Sequence, residues 1–114
     1  MIPRDAMLLR IFVGENDKYR GHPVYESIVL KAREQHLAGA TVLRGLMSFG
    51  HSSALHTAKI LRLSQDLPII IEIVDEEAKI KGFLPELKKM MGNGLVTLEK
   101  AQVIRYGEHN KPLS

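Results

Sequence analysis

Apolar and polar positions along this chain group into six periodic stretches, and the turn-forming residues between them set the order of elements. Met7-Leu8-Leu9-Arg10-Ile11-Phe12-Val13 is apolar and ends on a β-branched residue; Gly14-Glu15-Asn16-Asp17 halts it, which predicts a first strand. After a polar loop, Pro23 suits the first position of a helix, where its missing N–H is not needed. Tyr25, Ile28, Val29, Ala32 and His36 recur at helical spacing, so the first helix runs to about Leu37, with Gly39 as its C-cap signal. Ala40 to Phe49 reads as a second strand, broken by Gly50-His51-Ser52-Ser53-Ala54-Leu55-His56, and Lys59 to Leu63 alternates as a strand extension would. Leu67-Pro68-Ile69-Ile70-Ile71-Glu72-Ile73-Val74 is the strongest β signal and gives strand three.

Asp75-Glu76-Glu77 supplies an N-cap and first-turn acids for a second helix, whose apolar stripe is Ile80, Phe83, Leu84, Leu87, Met90 and Met91. Pro85 is expected to kink or split that helix near Gly82. Gly92-Asn93-Gly94 ends it, and Leu95 to Arg105 forms a fourth strand ahead of a polar tail, 107–114. The order βαββαβ predicts an α+β, ferredoxin-like sandwich: an antiparallel sheet with two helices on one face.

Such a sheet needs only one apolar face, and this one has two. If Leu9, Ile11, Val13, Ile69, Ile71 and Ile73 face the helices, then Leu8, Phe12, Ile70 and Val74 lie on the opposite side with Arg10 and Glu72. An apolar patch of that size marks an interface, so the pattern predicts self-association. Arg10 and Glu72, with Arg44 joining them, are either a paired network inside such an interface or charges at solvated strand ends.

With 114 residues and 45% hydrophobic content, the chain is expected to be one domain, 1–114, with a core over about 7–106. It has no cysteine, which excludes disulfides, CxxC chemistry and thiolate zinc sites. A net charge of +3, spread along the chain, is too mild for a nucleic-acid binder. The N-terminus lacks a signal-peptide pattern, and the longest apolar run, Leu67 to Ile71, cannot span a bilayer; a cytoplasmic protein is expected.

The histidines at 22, 36, 51, 56 and 109 show no metal-ligand spacing, and Ser48, Ser52 and Ser53 have neither a nucleophile elbow nor a local acid beside His51. No metal, no required cofactor and no catalysis are expected. Arg44 to Gly50 weakly resembles an RNA-recognition signature, but the positions that would stack bases are mostly aliphatic. Gly92-Asn93-Gly94 offers two readings: a helix cap with a tight turn, or a turn whose backbone N–H groups point at an anion. Arg105 could add a charge-assisted contact to a phosphate there.

Together Gly39-Ala40-Thr41-Val42, Ser48-Phe49-Gly50, Leu67-Pro68, Ile71-Glu72-Ile73-Val74, Gly92-Asn93-Gly94 and Ile104-Arg105-Tyr106-Gly107-Glu108 resemble the PII signal-transduction family in order and spacing. Leu9 to Glu15, Pro23-Val24-Tyr25-Glu26 and Ala38 to Gly45 resemble more closely a PII-like group catalogued as domain of unknown function one-ninety. The resemblance implies a homotrimer whose sheets line a central barrel, an adenine nucleotide in the clefts between subunits, and a mobile loop, about 50–58, that contacts a protein target such as a membrane transporter or channel. It places Thr41 near the adenine, Gly50 at the loop base, Gly92, Asn93 and Gly94 at the phosphates, and Arg105 as the second arginine of the last strand. Arg10, Phe12, Arg44, Ile70 and Glu72 would then line the trimer interior.

Three cations of the PII pattern are absent: the lysine after the phosphate turn is Leu95, the first C-terminal arginine is Val103, and the arginine after the loop-base glycine is His51. Matching both Thr41 and Phe49 also requires a one-residue insertion. Fewer cations favour fewer phosphates, so AMP or ADP is expected over ATP. Two alternatives share the architecture: a trimeric metal-binding protein of the CutA kind, and a small phosphate-ester or acyl-phosphate hydrolase. The hydrolase is disfavoured by the acidic first turn, Gly14 to Asp17.

Overall fold

A computed structural model of the chain describes residues 2–45 and 67–107. The expected βαββαβ frame is present: β1 (Asp5–Gly14), α1 (Val24–Glu34), β4 (Thr41–Arg44), β5 (Pro68–Asp75), α2 (Glu77–Met90) and β6 (Leu95–Gln102). Two short strands, β2 (Lys18–Tyr19) and β3 (His22–Pro23), fill the stretch expected to be a polar loop. Their turn holds Arg20 at φ 51 and Gly21 at φ 82, the paired positive angles that match hairpin twist. The expected extension at Lys59 to Leu63, the loop with Gly50, and the end of the tail lie outside the described residues.

The main sheet runs β4-β5-β1-β6, antiparallel throughout, the order of a ferredoxin-like sandwich. Register pairs Ile11 with Ile71 and Val96, and Leu9 with Ile73 and Leu98, so one face is continuous aliphatic surface. Both helices cover that face. Val24, Ile28 and Ala32 of α1 and Ile80, Phe83, Leu87 and Met90 of α2 close over Leu9, Ile11, Val13, Ile69, Ile71 and Ile73 in one buried cluster. Each Val, Leu, Ile, Phe or Met side chain of the cluster contributes about 1.5–3 kcal/mol by leaving water.

Boundaries differ from expectation for local reasons. α1 stops at Glu34, not near Leu37, and His36 rather than Gly39 ends it. His36 takes the left-handed conformation at φ 60, while its N–H donates to the Arg33 carbonyl and that of Leu37 to Ala32. That is a Schellman closure built on a residue other than glycine. α2 is continuous through Pro85, neither split nor ended there, and Pro85 is exposed, so its ring and the lost donor face solvent. Asp75 ends β5 instead of capping α2; Glu76 holds the cap position with no side-chain bond. β6 ends at Gln102, short of Arg105, because its partner β1 begins at Asp5; the Val103 N–H makes one further in-register bond, to the Arg4 carbonyl.

Candidate functional site

The uncovered face of the sheet divides into an apolar row and a polar row. Cross-strand register sets Leu43, Ile70, Phe12 and Leu95 side by side, with Leu43 45% and Leu95 55% exposed. One step along lie Thr41, Glu72, Arg10 and Thr97. Arg10 Nε donates to Glu72 at 2.8 Å and Nη1 to Glu99 at 3.1 Å. The Glu72 bond is the chief reason that the Arg10 pKa moves further up. Glu99 joins where Arg44 was expected. Arg44 pairs in register with buried Ile69, so it lies on the helix-side face at the sheet edge, where its guanidinium meets Glu15. A pairing register fixes side-chain direction by parity, and the register of strand two was not legible without its partner.

The Gly92-Asn93-Gly94 turn follows α2 directly, and its two glycines do different things. Gly94 sits at φ 131, and a Cβ there would lie 2.4 Å from the Phe12 carbonyl oxygen and 2.6 Å from the Met91 methyl. Its lack of a side chain is therefore a packing requirement. Gly92 has open space around it and an ordinary backbone. Freedom to approach a ligand is available at Gly92, not at Gly94.

Arg105 is exposed beyond the far end of β6. The eight residues of β6 separate it from Gly94 by roughly 25 Å at about 3.3 Å per residue. Thr41 is exposed on the opposite edge strand. The segment after β6 crosses toward it: Val103 bonds Arg4, and Tyr106 Oη donates to the Ala38 carbonyl at 3.0 Å. Within one copy, then, Arg105 and the loop leading into Thr41 share one end of the molecule, and the glycine turn occupies the other. Gly50 lies outside the described residues.

Beside Ala38 the structure buries an acid whose role was missed. Asp75 is 2% exposed; its two carboxylate oxygens accept from the backbone N–H groups of Ala38, at 2.9 Å, and Glu76, at 2.7 Å. It ties the α1–β4 connection to the start of α2. The signal in the sequence was an aspartate next to a helix start, which reads equally as a cap.

The first turn, proposed to repel phosphate, is closed on itself: Asp17 accepts from the Gly14 N–H at 2.9 Å, and Glu15 is paired with Arg44. Among the described residues no cluster of three or more potential ligands could hold a metal ion, and no helix is long and apolar enough to cross a membrane.

The DUF190 family model, described as an uncharacterized ACR, matches residues 6–103. A UPF0166 protein of Aquifex aeolicus is 43% identical over 97 residues, covering 85% of this chain and 91% of its own length. A UPF0166 protein of Methanocaldococcus jannaschii is 35% identical over 101 residues, covering 88% and 93%. Among solved structures, the de novo designed protein Foldit4 superposes with a TM-score of 0.44 at 13% identity, over 87% of this chain and 97% of its own, too distant to bear on function.

Proposed function

The chain belongs to the DUF190 family, a PII-like group, and on that footing we propose that it is a cytoplasmic regulatory protein, not an enzyme, that binds AMP or ADP between the subunits of a homotrimer. The observation that carries this reading is the separation, within one copy, of Gly92-Asn93-Gly94 from Arg105, at the other end of β6, and from Thr41, on the opposite edge strand of the sheet. A single site using all of them needs two chains. The apolar row Leu43, Ile70, Phe12 and Leu95 supplies a surface on which copies would meet. Leu95, where a lysine would serve the outer phosphates, favours the smaller nucleotides.

Nucleotide occupancy would be read by a partner, a membrane transporter or channel being the kind that PII-like regulators serve. Native mass spectrometry and calorimetry test the site together. A trimer is expected, taking up AMP or ADP more tightly than ATP, and Arg105→Ala should weaken binding by about 1.5–3 kcal/mol through loss of a charge-assisted contact. A ligand-free monomer, or ATP bound far more tightly than AMP, would contradict the proposal.

A further inference from the structure

A cavity of about 820 Å³ opens at one end of the helix layer, between the last turn of α1 and the first turn of α2. That volume lies within the range of small-molecule sites. Val29, Ala32 and Leu37 give it an apolar floor, and Arg33 of α1 and Lys79 of α2 stand at its rim. The helices' other basic side chains mostly have carboxylate partners: Lys31 with Glu34 and Glu86, Lys81 with Glu77, and Lys89 with Glu86. Among the described residues Arg33 has none, and Lys79 reaches only the His36 carbonyl, at 3.3 Å.

Asp75 and Glu76 in the wall match these two cations in formal charge, but among the described residues neither acid forms an ion pair with Arg33 or Lys79, and both oxygens of Asp75 accept from backbone N–H groups instead. Two cations without an ion-pair partner, above an aliphatic floor, suit a single carboxylate head on an apolar body. A polyphosphate would find too little positive charge and an apolar surface it could not use.

We propose that this cleft binds a small organic carboxylate, its head between Arg33 and Lys79 and its body against Val29, Ala32 and Leu37. The Tyr106 bond to Ala38 holds the C-terminal segment as one wall of the cleft. The Gly92-Asn93-Gly94 turn lies past the other end of α2, about 20 Å away along a helix of 14 residues. Thr41 and Arg105 adjoin the lining residues Ala40 and Tyr106 in sequence, but Thr41 pairs with Glu72 on the open face of the sheet, away from the helices, so the cleft is a site separate from the nucleotide's.

The test is amide NMR of the ¹⁵N-labelled full chain titrated with hexanoate, acetate and inorganic phosphate. Hexanoate should shift resonances of residues 37–40 and 76–79 saturably below about 10 mM, with acetate and phosphate at least about tenfold weaker. The double variant Arg33→Ala with Lys79→Ala should lose at least about tenfold in hexanoate affinity. Arg105→Ala should lose none, and saturating AMP should leave hexanoate binding unchanged.

Absence of saturable shifts, undiminished binding in the double variant, or phosphate equal to hexanoate overturns the site. Competition by AMP overturns its independence. If the double variant does not fold, Arg33→Gln decides: reduced affinity supports the proposal, and unchanged affinity overturns it.

Discussion

Gly92 and Gly94 are interchangeable in the sequence and unlike in their surroundings. Gly94→Ala would drive a Cβ into the Phe12 carbonyl at an unfavourable φ and is expected to cost about 2 kcal/mol or more in urea denaturation. Gly92→Ala should leave the denaturation midpoint unchanged within error, and any loss of nucleotide affinity it causes would then report contact with the ligand. An equal stability loss at both positions would contradict this division. The turn itself was legible from its two glycines; which of them packs against a strand depends on β1 running beneath it, eighty residues earlier in the chain. His36 makes the same point. It sits at a left-handed position that glycine fills at lower conformational cost, so Gly39 was the natural expectation for the helix end.

At the scale of elements, periodicity located every main strand and both helices, because one face of each is buried and the spacing of apolar residues must match. Pro85 was expected to kink or split α2 because a proline removes a donor wherever it falls; the helix runs through without a split because this one falls on the solvent side, with Phe83 and Leu87 on the buried side. The start of α2 also carries a pH dependence. Lys81 donates to Glu77 and holds its carboxyl below the ordinary value of 4.5, so the pair supports the helix above that pH and loses the support as pH falls through the lowered value. Glu77→Gln should therefore flatten the acid-side slope of the thermal midpoint below pH 4.5 and leave neutral-pH behaviour nearly unchanged. A slope identical to that of the native chain would exclude the pair as its source.

For the whole molecule, the decisive feature is a sheet with one face under helices and the other open. Leu43 and Leu95 are exposed in the single chain, so Leu43→Asp with Leu95→Asp should preserve the fold by circular dichroism while reducing the proposed trimer to monomers by light scattering. An unchanged assembly mass would place the interface elsewhere. The second apolar face was visible in the sequence because strand parity assigns each residue to a side once one side is known to be buried. Parity could not assign Arg44, since that requires knowing which residue of β5 stands opposite it. Nor could it bring Asp75 to the Ala38 amide or Tyr106 to the Ala38 carbonyl. The sequence by itself determined the order of elements, the covered face and the presence of a second apolar one, all of which follow from local periodicity. Only the tertiary structure decided the Arg10–Glu72–Glu99 grouping, the separation of the glycine turn from Arg105, and the cleft between Arg33 and Lys79. Each of these depends on contacts between residues far apart in the chain, and periodicity carries no information about which distant residues will meet.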